Sequence, residues 1–427
     1  MRTIQINLSE KGSASALQRR QSKIKLALFL VSLAFSAVAF IVFDYLYTAA
    51  IQRSAASRLV KTCRVLDPVC HHALKPNCAA IENWGTDRYD FFTNNLGFRD
   101  DRIREVPRVD PRPRILMLGD SFSEGPLAWH RTYVGRIAAR FPQYDFLNGG
   151  VGLYSPSNFL NVTQMVLAKG VDIDEVIVFI DMSNVQDEAA LYRDIDASGS
   201  VTKIEQERWI VPWYAIWRFH IAKHLLLIDS IFNFFERVLV GHGHYYLEMN
   251  LVGNVFDRER AAWTYRKVNE IDPYPAGYAP LGVEGGIAKE KAKMNLLWQE
   301  LATRSIAISI VVFPWPEQIA HDTKDSRQVR IWRDWCEGKC KRFISLFPAF
   351  LAVKEHCPRS QPGCWYEDLF FFGDVHYNAA GNALVADAVI KSLAEQPPAK
   401  RPLRFAGANS AKEATHPVRS SGRAAGG

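Results

Sequence analysis

The sequence predicts an α/β fold, a parallel sheet with helices on both faces, preceded by one transmembrane helix. Three observations predict it. Short apolar runs alternate with helix-like segments. Each apolar run ends in a turn rich in Gly, Asp, Ser or Asn. Near the N-terminus, Leu26 to Phe43 reads LALFLVSLAFSAVAFIVF without a single charge.

That uncharged run nearly spans a bilayer core, and Tyr45-Leu46-Tyr47 extends it to an aromatic interface. Arg19, Arg20, Lys23 and Lys25 lie just before it and Asp44 just after. Positive charge resists translocation, so residues 1–25 are expected as a basic cytoplasmic tail. Residues 26–47 are then the anchor of an inner-membrane, single-pass protein, with everything beyond them extracytoplasmic or periplasmic. A cleaved signal peptide shares this composition. The long N-terminal arm and long apolar run favour an uncleaved anchor.

Residues 48–110 form a lead-in with no long periodic run. The main domain is expected over 111–395. Arg114 to Leu118 (RILML) is its first strand, followed by a sharp Gly-Asp-Ser turn. His130 to Phe141 is helical, Tyr144 to Leu147 a second strand, Pro156 to Lys169 a helix, and Val176 to Ile180 a third strand. An aromatic-rich insertion over 191–286 then breaks the rhythm. It carries Trp209, Trp213, Tyr214, Trp217, Phe219, Phe232, Phe234 and Phe235, and reads more readily as packing surface than as a sugar platform. The alternation resumes with a helix over Ala288 to Ala302, a strand over Ile306 to Phe313, and a last helix over Asn378 to Leu393. Residues 396–427 are expected as a disordered basic tail.

The formal charge is +7, but each tail holds six Lys/Arg against one Glu. The stretch between the tails is therefore mildly acidic, which excludes a basic nucleic-acid-binding face. Seven cysteines fall in two groups: Cys63, Cys70 and Cys78, then Cys336, Cys340, Cys357 and Cys364. In an exported chain such clusters suggest disulfides, with Cys357–Cys364 the most plausible late pair, and the odd count leaves one thiol over. Cys336-x-x-x-Cys340 also has a tolerable zinc-ligand spacing, but no CxxC or HxxxH pair supports it, so no metal is expected.

The chemistry-bearing residues collect at the carboxyl ends of the strands, where open parallel sheets bind ligands. Gly119-Asp120-Ser121 follows the first strand, Asn148-Gly149-Gly150 the second, and Ser183-Asn184 the third; Asp374-Val375-His376 precedes the last helix. A serine hydroxyl is a poor nucleophile without a base. His376 can take its proton, and Asp374 can hold the imidazole tautomer. The oxyanion of acyl transfer needs fixed donors, for which the N–H groups of Ser121 and Gly150 and the side chain of Asn184 are the candidates. Asn378 reads as a helix cap, Glu124 as structural, and His71-His72 as ordinary loop residues.

GDSFSEG resembles the first block of the SGNH/GDSL hydrolase superfamily. NGGVGLYSPSNF resembles its glycine block, FIDMSN stands where its asparagine block belongs, and GDVHYNAAG resembles its terminal Asp/His block. TNNLGFRD is similar to the lead into the branch that acts on envelope polysaccharides. The resemblance runs from about Thr93 to Leu393. It implies a three-layer α/β/α, flavodoxin-like fold and an esterase or O-acyltransferase without cofactor. There are two departures. The usual spacing sets the aspartate three positions before the histidine, where this chain has Gly373; the Asp-x-His spacing of Asp374 resembles the alginate O-acetyltransferase-like branch. DMSN replaces GxND, which leaves Asn184 and Ser183 both open for the third-block position. The expected activity is O-acetyl transfer or ester hydrolysis on a cell-envelope or exported polysaccharide, with a membrane-bound acyl-donor partner. The alternative is a non-catalytic glycan-binding or envelope-assembly protein on the same scaffold.

Overall fold

In the computed structural model, which describes residues 3–53, 63–84, 87–194, 201–203, 225, 227–228, 231, 258–275, 277–361, 363–371 and 374–401, the predicted apolar runs become strands. In chain order the strands are β1 (Arg64–Asp67), β2 (His71–Leu74), β3 (Ala79–Trp84), β4 (Asp87–Thr93), β5 (Arg99–Asp100), β6 (Arg114–Leu118), β7 (Asp145–Asn148), β8 (Glu175–Ile180), β9 (Tyr192–Asp194), β10 (Val201–Lys203), β11 (Ala307–Val312) and β12 (Cys340–Ser345).

Period-two alternation within these runs makes the layers. Leu116, Leu118, Val176, Val178, Ile310 and Val312 pack on one face with Phe159, Leu297 and Trp332. Ile115, Met117, Ile177, Phe179 and Val311 pack on the other with Ile137, Phe350 and Val389. Helices Pro156–Ala168, Gly282–Thr303 and Arg327–Cys336 therefore cover one face, and Tyr133–Arg140, Phe347–His356 and Ala379–Glu395 the other. Each fully buried apolar side chain contributes about 1.5–3 kcal/mol.

The main sheet has eight strands in the order β12-β11-β8-β6-β7-β5-β4-β3. The five from β12 to β7 are parallel. β6 lies between the next two parallel strands of the chain, β7 and β8, so the winding direction reverses across it. That reversal opens a crevice at its carboxyl end, and Ser121 stands there.

Four expectations change. β12 (CKRFIS) was not expected; it is an edge strand, and too few of its residues are apolar to read as a buried run. The lead-in is part of the same sheet, because β3, β4 and β5 extend it antiparallel past β7. A boundary at residue 110 therefore has no structural counterpart. His71 and His72 lie on β2, paired with β1, rather than in a loop. Gln396 to Arg401 is held against the main domain: Lys400 Nζ lies 3.1 Å from Asp174, and the Arg401 N–H donates to Asp174 at 2.8 Å. Residues 402–427 lie outside the described residues, as does most of the aromatic stretch from Trp209 to Phe235.

One helix runs from Thr3 to Arg53. Its Arg20–Ala50 part is long and apolar enough to cross a membrane, and an 18-residue window within it has a mean hydropathy of 2.7. Asp44, at its far end, accepts the N–H groups of Leu227 and Ile228 from the insertion at 2.9 and 2.8 Å.

The cysteines pair as Cys63–Cys78, Cys336–Cys340 and Cys357–Cys364, leaving Cys70 buried and free. The pair formed by Cys336 and Cys340 takes up the sulfurs that a zinc site there would need. Burial pushes the Cys70 thiol up to about 12. Mass analysis of the unreduced, denatured chain is therefore expected to find three disulfides and one alkylatable thiol. The same thiol should resist alkylation while the chain is folded. Seven alkylated cysteines without reductant would contradict the pairing.

Candidate active site

β6 ends at Leu118, and the chain turns at once. The Asp120 carboxylate caps the turn Ser121–Glu124 by accepting the Phe122 N–H at 2.9 Å. Gly119 has to be glycine, because a Cβ there would lie 1.9 Å from Ser123 Oγ. Ser121 is thus the first residue of a turn of helix, where a backbone N–H has no intrahelical acceptor. Beneath it, burial and then the Asp181 charge push the Asp120 carboxyl well above the carboxylate range.

The last block brings a base to this serine. Asp374 is held by Tyr366, whose hydroxyl accepts the Asp374 N–H and donates to the Asp374 carbonyl, both at 2.9 Å. Asn378 caps the following helix, accepting the N–H groups of Ala380 and Gly381 at 2.8 and 3.1 Å. Between these anchors His376 is 9% exposed. Its Nε2 lies 2.8 Å from Ser121 Oγ, and its Nδ1 lies 2.7 Å from Asp374 Oδ1. Burial pushes the Asp374 carboxyl up, but the His376 charge, bonds from the His376 ring and backbone, and the Trp84 indole together outweigh it. They hold the carboxyl below its ordinary value. Asp374 is consequently ionised across the neutral range, as an orienting group must be. Gly373 lies outside the described residues.

The oxyanion candidates fare unevenly. Ser121 N–H stands at the open end of its turn. The Gly150 N–H is already committed to Asn148 Oδ1 at 3.1 Å, so Gly150 does not serve as a donor in this conformation. Gly150 is instead a packing position: a Cβ there would lie 2.3 Å from Ser123 Cβ. The glycine beside the nucleophile is Gly152, where a Cβ would lie 3.6 Å from Ser121 Cβ. Asn184 is buried; its Oδ1 accepts the Asp181 N–H at 3.0 Å and its Nδ2 donates to Tyr154 O at 3.2 Å. These two bonds use the Asn184 amide oxygen and one of its two amide hydrogens. The Ser183 hydroxyl donates to Asp181 Oδ1 at 2.6 Å.

The lead-in supplies partners to the site. Glu124 accepts the Gly152 N–H at 2.7 Å and pairs with Arg64 of β1 through both carboxylate oxygens. His72 donates from Nε2 to Gly152 O at 2.8 Å, and burial lowers the pKa of its ring below the ordinary imidazole value. Trp84 donates to Asp374. Glu124 and the third glycine of NGGVG lie in blocks visible beforehand; the roles of Arg64, His72 and Trp84 from the lead-in were not.

No family model matches the chain, and no curated protein matches it. Among solved structures it is similar to a catalytic mutant of Axe2, an acetylxylan esterase from Geobacillus stearothermophilus (14% identity, 67% of this chain and 96% of that one, TM-score 0.35). It is also similar to a GDSL-like lipase from Bacteroides thetaiotaomicron (10%, 68% and 92%, TM-score 0.33). A third is a member of the lipolytic G-D-S-L family from Veillonella parvula (11%, 66% and 98%, TM-score 0.33).

Proposed function

We propose that the chain is a membrane-anchored serine acyl-transfer enzyme working outside the cytoplasm on the ester groups of an envelope or exported polysaccharide. The observation that carries this reading is the continuous relay from Ser121 Oγ to His376 Nε2 and from His376 Nδ1 to Asp374, at 2.8 and 2.7 Å. Ser121 Oγ attacks the ester carbonyl carbon while its proton passes to His376 Nε2. The negative oxygen that forms is met by the Ser121 N–H and the remaining amide hydrogen of Asn184. Collapse of this intermediate breaks the ester C–O bond, and the leaving alcohol takes the proton back from His376. Water or a sugar hydroxyl then resolves the acyl-serine by the same steps in reverse.

O-Acetyl transfer is favoured over net hydrolysis. Water stands at about 55 M, so transfer needs a sugar hydroxyl held at high effective molarity; well-oriented groups reach ~10⁵ M or more. Leu227 and Ile228 donate their N–H groups to Asp44 at the end of the membrane helix. A membrane-bound acyl donor would be met there.

The test of the reading is labelling of the full chain by a fluorophosphonate probe. Ser121 is expected to be the labelled residue, and S121A to stay unlabelled. Absence of label on the folded wild-type chain would favour a non-catalytic glycan-binding or assembly protein. Supplying an activated acetyl donor with and without an oligosaccharide then separates the directions. Transfer gives acetylated sugar and slow donor loss without acceptor; rapid donor loss regardless of acceptor makes it an esterase.

The orientation rests on the four cations before the membrane helix and on disulfides that need an oxidising compartment. A reporter active only outside the cytoplasm, fused after Gly427, is expected to be active. Full protection of residues beyond Asp44 from protease in spheroplasts would overturn that orientation.

A further inference from the structure

The second oxygen of the Asp374 carboxylate is held from the far end of the chain. Trp84 closes β3 and pairs with Asp87 across the β3–β4 hairpin at the edge of the sheet. Its indole Nε1 donates to Asp374 Oδ2 at 2.5 Å, across 290 positions of sequence. Asp374 Oδ1 takes the His376 Nδ1–H at 2.7 Å and the His376 backbone N–H at 3.1 Å. The same indole stands edge-on to the His376 ring at 5.0 Å, and Phe122 lies against that ring at 4.8 Å. The hairpin is itself braced. The Arg99 guanidinium lies over the rings of Tyr89 and Phe91 at 5.3 and 4.9 Å, and the Cys63–Cys78 disulfide adjoins the start of β3.

We propose that Trp84 is the positioning residue of this relay: its N–H locks Asp374 Oδ2, which leaves Oδ1 aimed at His376, and its ring screens the imidazole from water. The inference rests on the serine-relay reading of the site. The physical reason is that a carboxylate turns easily about its terminal torsion, a broad two-fold well. A donor on one oxygen, braced by a sheet, removes that freedom before substrate binds.

Trp84 also acts on charge. A hydrogen bond to Oδ2 draws negative charge away from Oδ1. Without it, Asp374 grips the imidazolium more strongly, which moves the acid limb of the relay's activity to higher pH. The other groups around the pair leave this effect visible. Ser121 faces Nε2, and the Tyr366 hydroxyl bonds backbone groups of Asp374 and Phe371. Glu124 turns to Arg64 and Gly152, and Asp120 caps the turn beside Asp181.

The experiment uses the full-length chain in detergent, with W84F, which keeps a smaller aromatic ring and loses the indole donor. Turnover of an aryl acetate and fluorophosphonate labelling of Ser121 are both followed against pH. W84F is expected to lower the plateau kcat about 10-fold with KM within about twofold, and to move the acid limb up by about half a pH unit. A merely structural Trp84 would lower activity without moving the limb. An unchanged plateau and limb, or loss confined to KM, in a chain whose wild type labels at Ser121, overturns the inference. A wild type that neither labels nor turns over overturns the serine reading itself. Should W84F fail to fold, the ¹⁵N-indole resonance of Trp84 is read in the wild type and in D374N. A downfield signal that returns upfield in D374N supports the bond, and a signal indifferent to D374N refutes it.

Discussion

Replacing Ser121 by alanine is expected to reduce turnover of a small acetyl ester by roughly three to six orders of magnitude, because the acyl-enzyme loses its only attachment atom. His376→Ala should fall in the same range, since the Ser121 hydroxyl at 2.8 Å then has no base. Asp374→Asn should cost about 10²–10⁴. An amide at 374 can offer Nδ1 a hydrogen where the relay needs an acceptor, and so favours the wrong imidazole tautomer. The losses should not add: Ser121→Ala with His376→Ala should be no slower than Ser121→Ala alone, as expected of groups that act as one unit. Steady-state kinetics on the purified chain decide it. An S121A enzyme that keeps more than about a tenth of wild-type turnover would falsify the relay.

The second large effect is expected at Gly150. An alanine Cβ there would sit 2.3 Å from Ser123 Cβ and 3.0 Å from the Glu124 nitrogen. Neither atom can yield easily. Ser123 is fully buried, bonded through its hydroxyl to Tyr133, and its carbonyl accepts Asn148 Nδ2 at 2.8 Å. The glycine loop must back away from the turn that carries Ser121. Overpacking of this kind costs about 1–3 kcal/mol. A misplacement of about 1 Å at the reacting centre costs ~10²-fold in rate. Gly150→Ala should therefore lower both thermal stability and kcat. Gly152→Ala is the informative contrast: its Cβ would meet Ser121 Cβ and Glu124 Oε2 at an ordinary 3.6 Å. The melting temperature of G152A should stay near wild type, while its added methyl faces the nucleophile and crowds the larger acyl groups. Equal loss of stability in the two variants would contradict this assignment of the glycines.

What was legible beforehand has a common physical character. The turn after RILML, the helix cap at Asn378 and the pairing of Cys357 with Cys364 each depend on residues within a few positions of one another. Local rules of turns, caps and spacing therefore reach them. The parallel strands were legible too, because strands buried on both faces are nearly all apolar. β12 and the β3–β4 hairpin were not: they lie toward the sheet's edges, where polar side chains such as Glu82 and Lys341 interrupt the apolar signal.

The sequence by itself determined the α/β rhythm, the membrane-length helix and the residue types that stand at the carboxyl ends of the strands. Only the tertiary structure decided which of those residues meet. It set His376 between Ser121 and Asp374, turned the Gly150 amide toward Asn148, and brought Trp84, Arg64 and His72 from the lead-in onto the same site. The reason is the antiparallel extension of the sheet. Pairing of β5 with β7 carries the lead-in, whose residues before Thr93 show no motif, across to the rim of the crevice. Contacts separated by 290 positions, such as Trp84 with Asp374, leave no local pattern from which to read them.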